Sequence, residues 1–302
     1  MRDPISMSFC ISDSFSQHLA VAIVSFLSHN PKACFVFHVL HSGISDANIA
    51  KIKEIELSYH NCRIVFHEIN RSIFNHCAVP PELEHVSIET FYRYVIPEIL
   101  ADEKRTIYSD VDVVCNGNIL PLWEMDLGDN IAAMVPEGPS GRNKRALLGL
   151  DGEAPYFYAG LMLMDLEKMR AESCTSRFFA CTVDNIKRLA WADQDVINIV
   201  LDGQILCLGE EWDGINVTYS PFQHGIAIWH FTGFIRKPWC NIWKNTTWPI
   251  YLKYLLKSPY RANSVRFVWG HIKGFFFFKY TKKRITRYLV CGIRVWKTRE
   301  AS

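Results

Sequence analysis

Short apolar runs alternate with segments of helical periodicity through the first third of the chain, and this alternation constrains the fold more than any other feature. Ser8-Phe9-Cys10-Ile11 has strand length and stops at the polar Ser12-Asp13-Ser14. His18 to Leu27 carries apolar residues at helical spacing and closes at Ser28-His29-Asn30-Pro31. Cys34 to Leu40 reads as a second strand, Ser45 to Leu57 as a second helix and Cys62 to Phe66 as a third strand. Strand, helix, strand, helix, strand in that order implies an α/β fold with a mostly parallel, doubly wound sheet. Farther on, Thr90 to Leu100 reads as a helix with Pro97 inside it. Arg105 to Val114, Ile131 to Val135, Phe157 to Asp165 and Gly225 to Phe231 read as strands, and Asp193 to Leu201 as a helix. Gly138 to Asp151 is polar and partly basic, with glycine-containing turns, and reads as a mobile loop.

A chain of 302 residues with 49% hydrophobic and 21% charged residues has room for a large core without a disulfide framework. None of its ten cysteines forms a Cys-x-x-Cys pair. Several, such as Cys34 in Ala-Cys-Phe-Val-Phe, sit in apolar runs, the pattern of buried reduced thiols in a cytoplasmic protein. No secretory signal and no transmembrane-length apolar run is evident. The net charge of +2 conceals an asymmetry: residues 253 to 302 hold 13 Lys and Arg against Glu300, leaving 20 of the 33 basic and 30 of the 31 acidic residues to the rest. We therefore divide the chain into a body, 1–250, that fits one nucleotide-binding α/β domain, and a basic, aromatic-rich appendage, 251–302, expected to be helical.

Asp110-Val111-Asp112 lies near the end of the Arg105 strand. Alternate strand residues share a face, which would set the two carboxylates about 6.6 Å apart along the strand. A divalent cation would relieve their repulsion and bridge to a diphosphate; a solvated strand end is the plainer alternative. His230 ends the apolar run Ile226 to Phe231, where a histidine is often a satisfied core residue. Thr232-Gly233 and Lys237 follow it, and an imidazole, a glycine and an ammonium in that order suit a metal-bound diphosphate. Asp193 of Asp193-Gln194-Asp195 either caps a helix or faces a sugar, in which case the Gln194 amide oxygen could lie beneath an anomeric carbon. Arg93 either pairs with a surface acid or reaches into the site.

Taken in order, these stretches resemble glycosyltransferase family 8, the retaining GT-A enzymes that include bacterial lipopolysaccharide and lipooligosaccharide hexosyltransferases. The resemblance rests on Phe37 to Leu40 with Gly43-Ile44-Ser45, Ser87 to Arg93, Tyr108 to Asp112, Pro121-Leu122-Trp123 with Asp126 to Asn130, Tyr156 to Leu166, Asp193-Gln194-Asp195, and His230 to Gly233 with Lys237-Pro238-Trp239. It implies that Asp110, Asp112 and His230 ligate Mn²⁺ or Mg²⁺. Gly233 and Lys237 would meet the diphosphate, and Cys10, Ile11, Asp13 and Val86 the uridine. Arg93, Asp110, Gly160, Asp193 and Gln194 would surround the hexose of UDP-glucose or UDP-galactose, Val111 would also belong to the donor-binding set, and Gln194, Asp193 and Arg93 would form the catalytic set. The implied acceptor is a lipid-linked saccharide, with a hexosyltransferase for another acceptor, or a weakly active UDP-sugar binder, as alternatives. Three residues depart from the family pattern. Ser12 and Ser14 alter the expected nucleoside contacts, and Tyr158 occupies the place of an amide beside the sugar. The tail interleaves Arg266, Lys273, Lys279, Lys282, Lys283, Arg284, Arg287, Arg294 and Lys297 with aromatics. That composition suits an anionic membrane surface, and the resemblance implies a peripheral protein on the inner face of the cytoplasmic membrane. Nucleic acid is disfavoured, because acidic metal ligands repel phosphate.

Overall fold

The computed structural model describes residues 3–77, 79, 87–150, 152–215, 225–233, 237–240, 246–282, 285–290 and 293–299. The alternation in the first third becomes β1 (Ile5–Cys10), α1 (Ser16–His29), β2 (Phe35–His41), α2 (Asp46–Ser58) and β3 (Cys62–Glu68). There follow α3 (Ile96–Ile99), β4 (Arg105–Ser109), β5 (Val113–Cys115), α4 (Leu120–Trp123), β6 (Ala132–Pro136), α5 (Pro139–Leu148) and β7 (Phe157–Asp165). Then come α6 (Leu166–Ala171), α7 (Cys174–Asn185), α8 (Asp193–Val200), β8 (Ile205–Cys207) and β9 (Ile228–His230). The chain closes with α9 (Trp248–Leu255), α10 (Ser264–Phe276), β10 (Phe277–Lys282), β11 (Ile285–Val290) and β12 (Ile293–Arg299).

Seven strands form one sheet in the order β3-β2-β1-β4-β7-β6-β8. β7 alone runs against its neighbours, pairing antiparallel with β4 and β6; the other pairs are parallel. The C-terminal ends of the remaining six strands therefore open at one edge, the usual location of ligands in such sheets. Strand parity feeds two cores. Met7, Phe9, Phe37, Val39 and Ile107 enter the core shared with α1, while Leu40, Tyr108, Met162 and Met164 enter the opposite one with α6, α7 and α8. Residues 19 to 24 of α1 are all buried, and α9 lays Tyr251, Tyr254 and Leu255 into the same core.

Five expectations change. Arg105 to Val114 is not one strand, because it breaks at Asp110 to Asp112. Residues 139–148 form a helix rather than a loop; Pro139 supplies its first turn and Gly149, at φ 68°, ends it in the left-handed conformation. Pro97 does not interrupt a long helix: a 3-10 helix over Ile88–Val95 precedes it, and Pro97 sits in the first turn of α3. The tail is helical only as far as Phe276. Beyond it, β10, β11 and β12 form a separate antiparallel sheet, because Phe-Lys-Tyr-Thr and Ile-Arg-Val-Trp alternate with period two. Cys34 is exposed rather than buried. Among the described residues, no helix is long and apolar enough to cross a membrane.

A half-buried histidine, His18, and a buried one, His38, give the body a pH dependence. Burial pushes His18 down to about 3, with Lys237 adding to the effect, and burial together with His67 and Arg63 pushes His38 down to about 4. Both rings stay neutral in the folded protein, whereas unfolded histidine takes up its proton near pH 6.5. Between those values the unfolded chain binds more protons, so stability is present above about pH 6.5 and drains as the pH falls. At pH 5 each ring should cost about 2 kcal/mol. We expect the two rings together to lower Tm by about 6 °C between pH 7.5 and pH 5, partly offset by Asp193, whose raised pKa favours the folded state at low pH; an unchanged Tm difference between the wild type and His38→Gln in calorimetry at the two pH values would contradict the neutral state assigned to His38.

Candidate donor and cation site

The site forms where the chain passes from one sheet to another. Asp110 N still donates to Gly160 O of β7 at 2.8 Å, and Phe231 N donates to Asp112 O at 2.9 Å, beside the antiparallel pair β5 and β9. Asp110 is the last residue held by the large sheet and Asp112 the first held by the small one, with buried Val111 between them. The register sets His230 opposite Val113. Its Nε2 lies 3.3 Å from Asp112 Oδ1 and 3.7 Å from Asp110 Oδ2. One ligand atom from each of the three residues falls within 4.8 Å of the others. Two acidic oxygens and an imidazole nitrogen converging on one point fit a hard divalent cation such as Mn²⁺ or Mg²⁺. Gly160 packs behind this point. A Cβ there would collide with the His230 ring and reach Asp110 Oδ2 at 3.0 Å, so only glycine fits.

Arg93 organises the other wall from the 3-10 helix over Ile88–Val95. It is 5% exposed. Its Nη1 donates to Ala159 O at 2.5 Å, its Nη2 to Thr90 Oγ1 and Asp110 Oδ1, and its Nε meets Asp193 Oδ2 at 3.0 Å. Thr90 Oγ1 donates a hydrogen bond to Asp193 Oδ1, and Tyr108, under the guanidinium plane, donates to Asp110 Oδ1 at 2.6 Å. Burial works against the Arg93 charge, but Asp193, Tyr108 and Asp110 outweigh it and hold the group cationic. Burial pushes Asp193 up to about 6 although Arg93 and Thr90 pull the other way. For Asp112 burial also raises the pKa, but Lys237 and His230 prevail and hold it well below the usual carboxylate range.

Asp193 is therefore not a helix cap. The cap position belongs to Ala192, held at φ 50° in a tight turn that Gln194 N closes onto Trp191 O. A non-glycine residue with positive φ is strained, and here the turn brings Asp193 and Gln194 together beside β7. Gln194 Oε1 accepts from Ala159 N at 3.2 Å, and its Nε2 donates to Tyr156 Oη, which donates in turn to Asp195.

Cys10, Ile11, Ser12, Arg93, Asp110, Val111, Asp112, His230, Gly233 and Lys237 line one cavity of about 320 Å³. The Lys237 ammonium touches Asp112 Oδ2. Gly233, at φ 74°, has open space where a side chain would be. Asp13 is placed differently. It accepts from Ser45 N, Ser45 Oγ and Asn48 Nδ2 at the start of α2, and these bonds keep it below its ordinary pKa. Ser12 and Ser14 bond to each other at 3.0 Å. Val86 lies outside the described residues. Tyr108, Thr90, Tyr156 and Trp239 lie in the stretches that carry the resemblance but have no role assigned from the sequence, and Asp213 lies outside those stretches. Trp239 stacks on His18 at 3.7 Å and lines the cavity, and Asp213 bonds His230 from behind. Tyr108 shares strand parity with Asp110, the one local signal that could have revealed it.

Comparison with known proteins agrees with this architecture. The chain is similar to general stress protein A of Bacillus subtilis, at 26% identity over 82% of this chain and 91% of that protein. It is also similar to a lipopolysaccharide 1,2-glucosyltransferase of Escherichia coli, at 23% identity over 86% of this chain and 80% of the other. Among solved structures, the galactosyltransferase LgtC in complex with donor and acceptor sugar analogues shares the fold with a TM-score of 0.74, at 23% identity, covering 84% of this chain and 96% of that one. The model of Glycosyl transferase family 8 matches residues 6–243, and the chain belongs to that family.

Proposed function

We propose that the protein is a retaining hexosyltransferase that moves galactose or glucose from a UDP-sugar to a saccharide acceptor of the lipopolysaccharide core. The observation that carries this reading is the convergence of Asp110, Asp112 and His230 in one cavity with Arg93 and Lys237. A cation bound by the three ligands would neutralise the diphosphate as it leaves. Lys237, already against Asp112, would reach the same phosphates, and Gly233, with open space beside it, would admit them close to the backbone. The uridine would lie toward Cys10 and Ile11. Arg93 and Asp193 would hold sugar hydroxyls, their geometry set by the buried network. Gln194, oriented by Ala159 N and Tyr156, would offer its amide oxygen to the positive charge that develops at the anomeric carbon. In a front-side displacement, the bond from that carbon to the phosphate oxygen breaks and a bond to the acceptor oxygen forms on the same face. The acceptor proton passes to the departing UDP.

The test is UDP release and product analysis with UDP-glucose and UDP-galactose, each with Mn²⁺, with Mg²⁺ and with chelator. We expect cation-dependent release from one donor and an α-configured product on lipopolysaccharide core. Transfer to other saccharides only would reassign the acceptor; a folded protein that binds and releases neither donor would defeat the reading.

A membrane contact through the tail forms part of the same proposal. One face of α10 seats Phe267 on Tyr251 and His271 on Pro238 O. The opposite face exposes Val265, Trp269, Ile272 and Phe276 at spacings of four, three and four residues. Basic residues flank this stripe, each worth about 1 kcal/mol near an anionic surface. Trp269→Glu with Phe276→Glu should release the protein from phosphatidylglycerol vesicles and leave donor hydrolysis intact. Unchanged co-sedimentation would remove the stripe from the proposal. Deleting the whole tail is the poorer test, since Phe267 and His271 brace the cavity wall.

A further inference from the structure

His230 is held from behind by an acid that is no part of the ligand set. Asp213 precedes Gly214, which bridges to Trp229 and donates to Ile228 O at 2.9 Å, so the segment is laid along β9. That placement buries the Asp213 side chain completely and brings its Oδ1 within 2.9 Å of His230 Nδ1. Burying a carboxylate is costly unless it is paired. Among the described residues its other oxygen, Oδ2, meets no hydrogen-bond donor. Asp213 therefore is not one member of a broad polar network, and its side chain is directed at the imidazole.

An imidazole offers two nitrogens, and the partner of one decides what the other can do. An acceptor on Nδ1 keeps the proton there and leaves the Nε2 lone pair on the opposite side of the ring. That side faces Asp112 Oδ1 and Asp110 Oδ2. Gly160, packed against Cε1, limits rotation of the ring. Ligating histidines commonly carry such a partner, which fixes both the tautomer and the ring orientation.

We infer that Asp213 is a positioning residue for the cation site: it holds His230 with Nε2 directed between Asp110 and Asp112, and so tightens the hold on a divalent ion. The inference rests on the cation reading proposed above. The test is a titration of the full-length protein with Mn²⁺ in the presence of UDP, followed by the paramagnetic resonance signal of free Mn²⁺. Asp213→Ala should weaken Mn²⁺ binding by about 10- to 100-fold. Asp213→Asn, whose amide oxygen still accepts from Nδ1, should recover most of that loss, which a merely structural role would not produce. Unchanged affinity in Asp213→Ala, or equal weakening in both variants, would overturn the inference. If Asp213→Ala does not fold, long-range ¹H–¹⁵N spectra of the wild-type protein with Mg²⁺ and UDP decide the matter. A proton on His230 Nδ1 supports the assignment, and a proton on Nε2 refutes it. Asp112→Ala serves as the control: if it too binds Mn²⁺ like wild type, the cation reading falls and this inference falls with it.

Discussion

Replacing Asp112 by alanine is expected to abolish cation-dependent UDP release, by a factor of 10³ or more on the scale of about 4 kcal/mol of lost transition-state stabilisation, while the chain stays folded. The Asp112 side chain is 10% exposed and is engaged at once by His230 Nε2 and by the Lys237 ammonium. Removing it deletes one of three ligand atoms and leaves His230 and Lys237 facing one another without an intervening anion. Among the described residues no substitute acid lies near enough, since Asp213 approaches only the far side of the ring. Asp112→Asn keeps the shape but not the charge, and should recover little. Intact circular dichroism together with normal turnover in Asp112→Ala would remove the metal assignment.

The second large effect is expected at Arg93, and it concerns stability as much as activity. A surface ion pair contributes no more than about 1 kcal/mol. Arg93 is instead buried among five acceptors, two of them carboxylates. Arg93→Ala strands Asp193, 4% exposed, with Thr90 as its remaining side-chain partner. Breaking a buried pair in this way costs about 3–5 kcal/mol, and Tm should drop by about 6 °C. Arg93→Lys should not rescue it, because a point charge with three donors cannot span Thr90, Ala159, Asp110 and Asp193. A Tm shift of only a degree or two in Arg93→Ala would mean that the network contributes little. A wild-type Tm in Arg93→Lys would mean that charge alone, without the planar fork, is enough.

Much of this arrangement could be read from the residues because its causes are local. β1, β2, β3 and β7 appear as apolar runs of the right length, and α1 and α2 as periodic segments between them. The acidic pair, His230 and Lys237 stand out because unusual residue types follow apolar stretches. The parts that stayed hidden have non-local causes. Nothing near Val111 announces that one sheet ends before it and another begins after it; that follows from pairing with Gly160 and Phe231, far along the chain. Asp213 lies in an unremarkable acidic stretch and acquires meaning only when β9 comes alongside. Other signals were present but outweighed. Pro139 and Gly149 bracket a helix whose polarity made it look like a loop, and the period-two pattern after Phe276 was masked by its dense positive charge.

The passage of the chain between the two sheets has a consequence for how the acidic pair can vary. Three residues can span at most about 10 Å, and both ends of Asp110-Val111-Asp112 are tied by backbone hydrogen bonds. The segment has no slack. The spacing of the two acids is thus dictated by chain length rather than by the packing of the side chains themselves. An inserted residue would leave each sheet whole and every side chain present, yet allow the two acids to drift apart, so at this position the number of residues matters as much as their identity.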